Sequence, residues 1–157
     1  MKLGEALTQR ARQAQKLNDL QQRIVAAVLV QEGDDPQEDA NPLIGEYVRV
    51  SNEHAALVSQ IALTNAGTNV TGASDGRTIL TLLHEREALI RERNIYRAAA
   101  TAANPNKNTL LRYSRSEVKF VSTVDVQALR GKEAELEQKI NTIDAQLQKL
   151  NWSTELH

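Results

Sequence analysis

The sequence predicts a mainly α protein with four long amphipathic helices, in an antiparallel bundle or as coiled-coil hairpins, and a short β element before the last helix. Apolar residues recur at helical spacing in four segments, which indicates the helices. Stretches rich in Gly, Pro, Asn and Asp separate these segments. Near residue 118 the pattern changes to alternating polar and apolar residues, which is typical of a strand. We expect one domain over residues 1–157.

The first helix is expected at about residues 2–28, where aliphatic side chains form one stripe between polar residues. The run 27–31 is rich in β-branched residues, so it is predicted to leave the helix as a short strand. The segment 32–39 contains Gly33, Pro36 and five acids, which predicts a loop. It lacks the spacing of acids of a calcium-binding EF-hand and is interpreted as a solvated run of charge.

The second helix is expected at about residues 42–65, with Asn41 as N-cap and Pro42 at the first helical position. A glycine-containing loop then leads to the third helix, at about residues 78–103. The fourth helix is expected at about residues 125–151, with Asp125 as its N-cap.

The fourth helix carries a narrow apolar seam whose members follow each other at alternating steps of four and three residues, as in helices that pack along one stripe. Its apolar members are Leu129, Leu136, Ile140, Ile143, Leu147 and Leu150. Glu133 is the one polar residue in this register. If its carboxylate is buried in an assembly it needs a basic partner, for which Arg115 or Lys119 is the first expectation.

The β element is expected at about residues 113–124, with apolar side chains on one face and charged ones on the other. A single strand leaves backbone groups unpaired, so it needs either the run 27–31 or the same strand of a second subunit. Basic residues beside a tyrosine also suit nucleic acid, although Glu117 among them favours a protein interface. The candidate interface residues are Arg112, Tyr113, Arg115, Glu117, Lys119, Phe120 and, in the C-terminal tail, Trp152.

Composition excludes several classes of function. The 19 basic and 20 acidic side chains nearly cancel, so no overall field attracts nucleic acid or an anionic membrane. The absence of cysteine excludes disulfides and thiolate chemistry, and it suits a reducing cytoplasm, where we expect the protein to be located. The longest apolar run, 24–30, is too short to span a bilayer as a helix.

No catalytic motif stands out. His54 lies on the stripe of the second helix and is interpreted as a histidine that hydrogen-bonds across the helices, with a metal ligand or a base as the alternative. His84 has no Glu three residues before it, so the pattern of a di-iron helical bundle is missing. We therefore expect no catalytic residue, no metal and no cofactor.

Four stretches together resemble the septicolysin-like family of small bacterial proteins. They are RYSRSEVKFVSTVDV at residues 112–126, VQEG at 30–33, DGRT at 75–78 and NWSTEL at 151–156. The resemblance covers nearly the whole chain and carries over no catalytic residue. It implies that the polar strand and the tail with Trp152 belong to the pattern of the family, and the family name suggests a cytolysin.

The sequence thus favours a non-enzymatic, self-assembling helical scaffold or interaction protein. Its expected partner is a second copy of the chain, through the helical seams and the strand. One alternative is a nucleic-acid-binding helical protein that uses Arg112, Arg115 and Lys119. Another is a membrane-permeabilising protein, although no long apolar segment supports stable insertion.

Overall fold

The structure is a computed structural model that describes residues 1–70, 76–103 and 121–157. Four helices cover most of this part of the chain: α1 is Leu3–Ala27, α2 is Ala40–Gly67, α3 is Ile79–Ala102 and α4 is Val126–Ser153. The described residues contain no strand beyond isolated bridges, at Lys2–Glu155 and Asn69–Thr78. The prediction of a mainly α protein is therefore confirmed.

Side chains at the helix starts explain where α2 and α4 begin. Asp125 Oδ1 accepts hydrogen bonds from the backbone N–H groups of Gln127 and Ala128, at 2.9 and 3.0 Å, so the predicted cap of α4 is confirmed. At α2 the cap is Asp39, whose carboxylate accepts from the Asn41 N–H at 2.9 Å. The prediction of Asn41 as N-cap is wrong. Pro42 fits in the first turn because its missing N–H has no partner in the helix there.

The described residues form two compact units, of which unit 1 is Met1–Leu80 with Gln148–His157. In it, α1 and α2 run antiparallel, since Lys16 pairs with Glu46 while the later Arg23 pairs with the earlier Glu38. The core of this hairpin consists of Leu20, Leu43 and Val50, against which Leu17, Ile24, Ala27 and Tyr47 pack.

Unit 2 is Thr81–Leu147. Here α3 and α4 are antiparallel, and three of the ion pairs between them share one register: Arg86 with Asp144, Arg93 with Glu137, and Arg97 with Glu133. Steps of seven and four residues forward on α3 match the same steps backward on α4. This match is the signature of two antiparallel helices in contact along their length. The prediction of one domain over the chain stays a prediction.

The structure does not support the short β element. Of the predicted strand 113–124, residues 113–120 lie outside the described residues, and 121–124 are irregular. The predicted strand at 27–31 is wrong. Ala27 ends α1, the Val28 N–H donates to the Ile24 carbonyl at 3.2 Å, and a turn at Gly33, with φ of 93°, follows at once. No described helix is both long and apolar enough to cross a bilayer.

Candidate interaction surfaces

The predicted interface lies mostly outside the described residues. This applies to Arg112, Tyr113, Arg115, Glu117, Lys119 and Phe120. Trp152, the remaining member, lies in the last turn of α4 and is 57% exposed. It belongs to unit 1.

Trp152 lies where the two ends of the described chain pair with each other. The Leu3 N–H donates to the Thr154 carbonyl, and the Leu156 N–H donates to the Met1 carbonyl, both at 2.9 Å. These bonds join the start of α1 to the segment after α4. We call this short antiparallel pairing the terminal clasp, residues 1–3 with 154–156.

Gly4 allows the clasp to form because it brings α1 close to the end of α4. A Cβ atom at Gly4 would lie 3.2 Å from the Asn151 carbonyl oxygen and 3.2 Å from two ring carbons of Trp152. This spacing is tighter than ordinary van der Waals contact, so the glycine permits the approach. The exposed side of the indole borders an open groove of about 510 Å³, which is lined also by Met1, Glu5, Thr8, Gln9 and Arg12.

Two cations hold Glu155 in the clasp. Lys2 Nζ lies 2.5 Å from Glu155 Oε1, and the Met1 amino group lies 3.2 Å from Oε2. Hydrogen bonds from Lys2 and from this amino group lower the pKa of the Glu155 carboxyl. Because the groups are exposed, the pairs orient the tail more than they stabilise it.

The structure buries most of the predicted seam of α4. Leu136, Ile140, Ile143, Leu147 and Leu150 are each at most 7% exposed. Leu129, near the start of the helix, is only half-buried. The seam thus belongs to the interior along most of α4 and offers little surface to a second chain.

Glu133, the polar residue of the seam register, has its partners within unit 2. Arg97 Nε and Arg130 donate to its two carboxylate oxygens at 2.6 and 2.7 Å, and its side chain is only 14% exposed. The hydrogen bond from Arg97 contributes most to lowering the pKa of the Glu133 carboxyl, and the one from Arg130 contributes next. Arg115 and Lys119 lie outside the described residues, so the expectation that one of them pairs with Glu133 stays a prediction. Within unit 2, the antiparallel register of α3 supplies Arg97.

The basic groups between α3 and α4 are therefore used internally. Arg93 reaches Glu137 at 2.9 Å, and Arg86 binds Asp144. A hydrogen bond from Arg86 to Asp144 raises the pKa of the guanidinium. Arginines neutralised in this way contribute little attraction for phosphate, since a bound carboxylate occupies their donors.

The sequence analysis missed an exposed apolar surface at the end of α1. Val25, Val28, Leu29 and Val30 are 67%, 60%, 85% and 43% exposed. We call these four residues, with the following turn 31–39, the hairpin tip. The sequence shows the apolar run 24–30, but the sequence analysis assigns its residues 27–30 to a short strand. Ile24 and Ala27 alone of this run face the α1–α2 core.

The hairpin tip is also acidic. Arg23 forms a two-point ion pair with Glu38, whose Oε2 accepts from the Arg23 Nε at 2.9 Å, and this bond lowers the pKa of Glu38. Beside the pair lies an open groove of about 590 Å³, lined in part by Leu29, Val30, Asp34 and Asp35. Apolar side chains and carboxylates thus share one surface.

His54 is one of the three histidines of the chain. It is half-buried in α2, and its Nδ1 has no hydrogen-bond partner in the part of the chain that the structure describes. The described residues likewise contain no group of three or more side chains suited to hold a metal ion. The expected hydrogen bond across the helices is therefore not seen at Nδ1.

Two comparisons place the chain among known proteins. A family model described as a family of unknown function, DUF6847, matches residues 10–156. The crystal structure of a functionally unknown conserved protein from Corynebacterium diphtheriae has a TM-score of 0.90 and 34% sequence identity, covering 100% of this chain and 99% of that one. No curated protein matches the chain. Neither comparison bears on the resemblance to septicolysin-like proteins, which stays a prediction.

Proposed function

The chain belongs to DUF6847, a family of unknown function, and we propose from its geometry that it is a non-enzymatic helical interaction protein of the cytoplasm that assembles with copies of itself through the hairpin tip. The observation that carries this proposal is the exposure of four consecutive or nearly consecutive aliphatic residues there, led by Leu29 at 85%. Contiguous exposed apolar side chains mark interaction surfaces, because their exposure to water is unfavourable in free energy and is relieved when a partner covers them.

The remaining apolar surface supports the same choice of site. The seam of α4 is mostly buried, so it leaves little for a second subunit. Other exposed aliphatic residues, such as Leu63 in α2 and Ile95 in α3, are separated from one another along the chain. Those of the hairpin tip are consecutive or nearly so. Single exposed aliphatic residues are ordinary on protein surfaces, whereas a cluster is not.

Charge weighs against the two alternative functions. The arginines joining α3 to α4 are paired with carboxylates, so their contribution to nucleic-acid binding is small. The exposed apolar tip lies next to acidic side chains, which an anionic membrane repels. A self-assembling protein therefore has more support than a nucleic-acid-binding or membrane-permeabilising one.

The proposal is tested by the mass of the full chain in sedimentation equilibrium at micromolar concentrations. We expect a multiple of the chain mass, and we expect Leu29→Ser to raise the dissociation constant by roughly tenfold or more, because one buried leucine contributes about 1.5–3 kcal/mol. Leu63→Ser is the matched control, since Leu63 is also a leucine of unit 1 and 69% exposed.

Four results would contradict the proposal. The first is a monomeric mass at every concentration, and the second is an equal effect of Leu29→Ser and Leu63→Ser. The third is a mobility shift of RNA or DNA that disappears steeply with salt, which would point to nucleic acid instead. Release of dye from anionic liposomes at micromolar protein would favour the membrane alternative.

A further inference from the structure

The hairpin tip has an excess of negative charge that its own residues do not neutralise. Residues 21–40 contain five acidic side chains and a single basic one, Arg23. Arg23 is engaged by Glu38. In the described part of the chain, the four other acidic side chains form no ion pair: Glu32, Asp34, Asp35 and Asp39. Asp39 caps α2, which leaves three for a partner.

A partner for this surface must combine apolar and cationic side chains. The four aliphatic residues of the tip give apolar contact area, and Asp34 and Asp35 line the groove beside Leu29 and Val30. Opposite charges at the rim of an apolar contact select the partner and set its register. A purely apolar or an acidic partner would leave these carboxylates desolvated without compensation.

The chain itself contains a segment with this chemistry. Residues 107–119, KNTLLRYSRSEVK, hold four basic side chains and one acidic one, interleaved with leucine, tyrosine and valine. These residues lie outside the described part of the structure. By contrast, the arginines that join α3 to α4 are paired with carboxylates of α4.

We propose that the hairpin tip of one copy binds the basic segment 107–119 of a second copy, with Asp34 and Asp35 facing its arginines. This inference rests on the proposed function. It identifies the segment that binds the hairpin tip, which the exposure of the apolar side chains alone does not do. Each copy carries one tip and one basic segment, so two copies can exchange both contacts and close as a two-fold dimer.

The test uses charge reversal in the full chain. One variant carries Asp34→Lys with Asp35→Lys, and a second carries Arg112→Glu with Arg115→Glu. We expect each variant alone to have a dissociation constant raised about tenfold or more, because like charges then meet at both contacts. The control, Glu87→Lys with Glu92→Lys on exposed positions of α3, changes the net charge as much as the first variant and leaves assembly unchanged.

An equimolar mixture of the two reversed variants gives the decisive result. Each lysine-bearing tip then meets a glutamate-bearing segment, and each unaltered tip meets an unaltered segment, so both contacts are complementary again. We expect the mixture to form the dimer with nearly the affinity of the original chain, as measured by sedimentation equilibrium.

The possible failures are distinct. If both reversed variants assemble normally while Leu29→Ser dissociates the assembly, the inference is overturned and the proposed function stands. If the reversed variants dissociate and the mixture does not recover, the segment is not the occupant in a second copy, and the inference is again overturned. A monomeric original chain overturns the proposed function itself.

Discussion

Gly4 occupies a position in α1 that no larger residue fills without moving its neighbours. The Asn151 carbonyl belongs to the backbone of α4, and the indole of Trp152 lies equally close, so both would have to yield to a Cβ atom. We expect Gly4→Ala to lower the free energy of unfolding by about 1 kcal/mol, because crowding costs more than the gain in helix propensity.

Gly45→Ala is the control for this substitution. Gly45 is a residue of α2, and a Cβ atom there meets nothing within 4 Å. In open space alanine favours the helix, so we expect a gain of about 0.5–1 kcal/mol. Urea unfolding followed by circular dichroism measures both. A gain in stability for Gly4→Ala as large as for Gly45→Ala would show that the clasp is loose.

Glu133 shows which part of a site the sequence can predict. The seam register marked this carboxylate as a polar residue that needs a basic partner when it is enclosed, and the structure gives it two, Arg97 and Arg130. The identity of the partner depends on how α3 lies against α4. That register is a property of the tertiary structure, and neither helix reveals it alone.

The helices differ in how far the sequence determines their ends. α4 has one strong capping residue at its start, Asp125, and its seven-residue repeat continues to Leu150. For α2 the sequence analysis assigns the cap to Asn41, whereas in the structure the side chain of Asp39, two residues earlier, accepts the hydrogen bond. Where two residues of similar propensity compete, local chemistry does not choose between them.

The hairpin tip was missed for a related reason. Periodicity reports that residues are apolar, and burial is then assumed from the pattern. Val28, Leu29 and Val30 follow the last helical residue of α1, where no neighbouring element in unit 1 covers them. Whether an apolar side chain is covered by a neighbouring element is a property of the folded structure, and the sequence pattern does not contain it.

The seam of α4 predicts a gradient of stability along one helix. Leu136 is 4% exposed, whereas Leu129, one heptad earlier, is half-buried. We expect Leu136→Ala to lower the free energy of unfolding by about 2–5 kcal/mol, as for buried leucines in general, and Leu129→Ala to lower it by about 1 kcal/mol. Urea unfolding of both variants measures the difference, and equal losses would show that the seam is not enclosed as described.

Carboxylates with lowered pKa values are spread over both units. Hydrogen bonds to basic partners lower the pKa of Glu38, Glu46 and Glu155 in unit 1 and of Glu133 and Glu135 in unit 2. Such a carboxyl stabilises the folded state at pH values above its ordinary pKa of 4.5. This stabilisation is lost as the pH falls from the ordinary pKa through the lowered one. Over that range the carboxyl of the unfolded chain takes up a proton more readily than the same carboxyl in the folded chain.

We therefore expect the urea midpoint of the chain to fall as the pH is lowered below 4.5, and Glu133 to contribute to that fall. Glu133→Gln removes the titrating group. The urea midpoint of this variant should therefore be lower than that of the original chain near neutral pH and should fall less on acidification. Glu92→Gln, on an exposed side chain of α3, is the control and should lose as much as the original chain. If Glu133→Gln and the original chain lose stability equally on acidification, the pairs with Arg97 and Arg130 do not contribute to stability. The antiparallel register of α3 and α4 would then depend on the apolar seam and on the ion pairs of Arg86 with Asp144 and of Arg93 with Glu137.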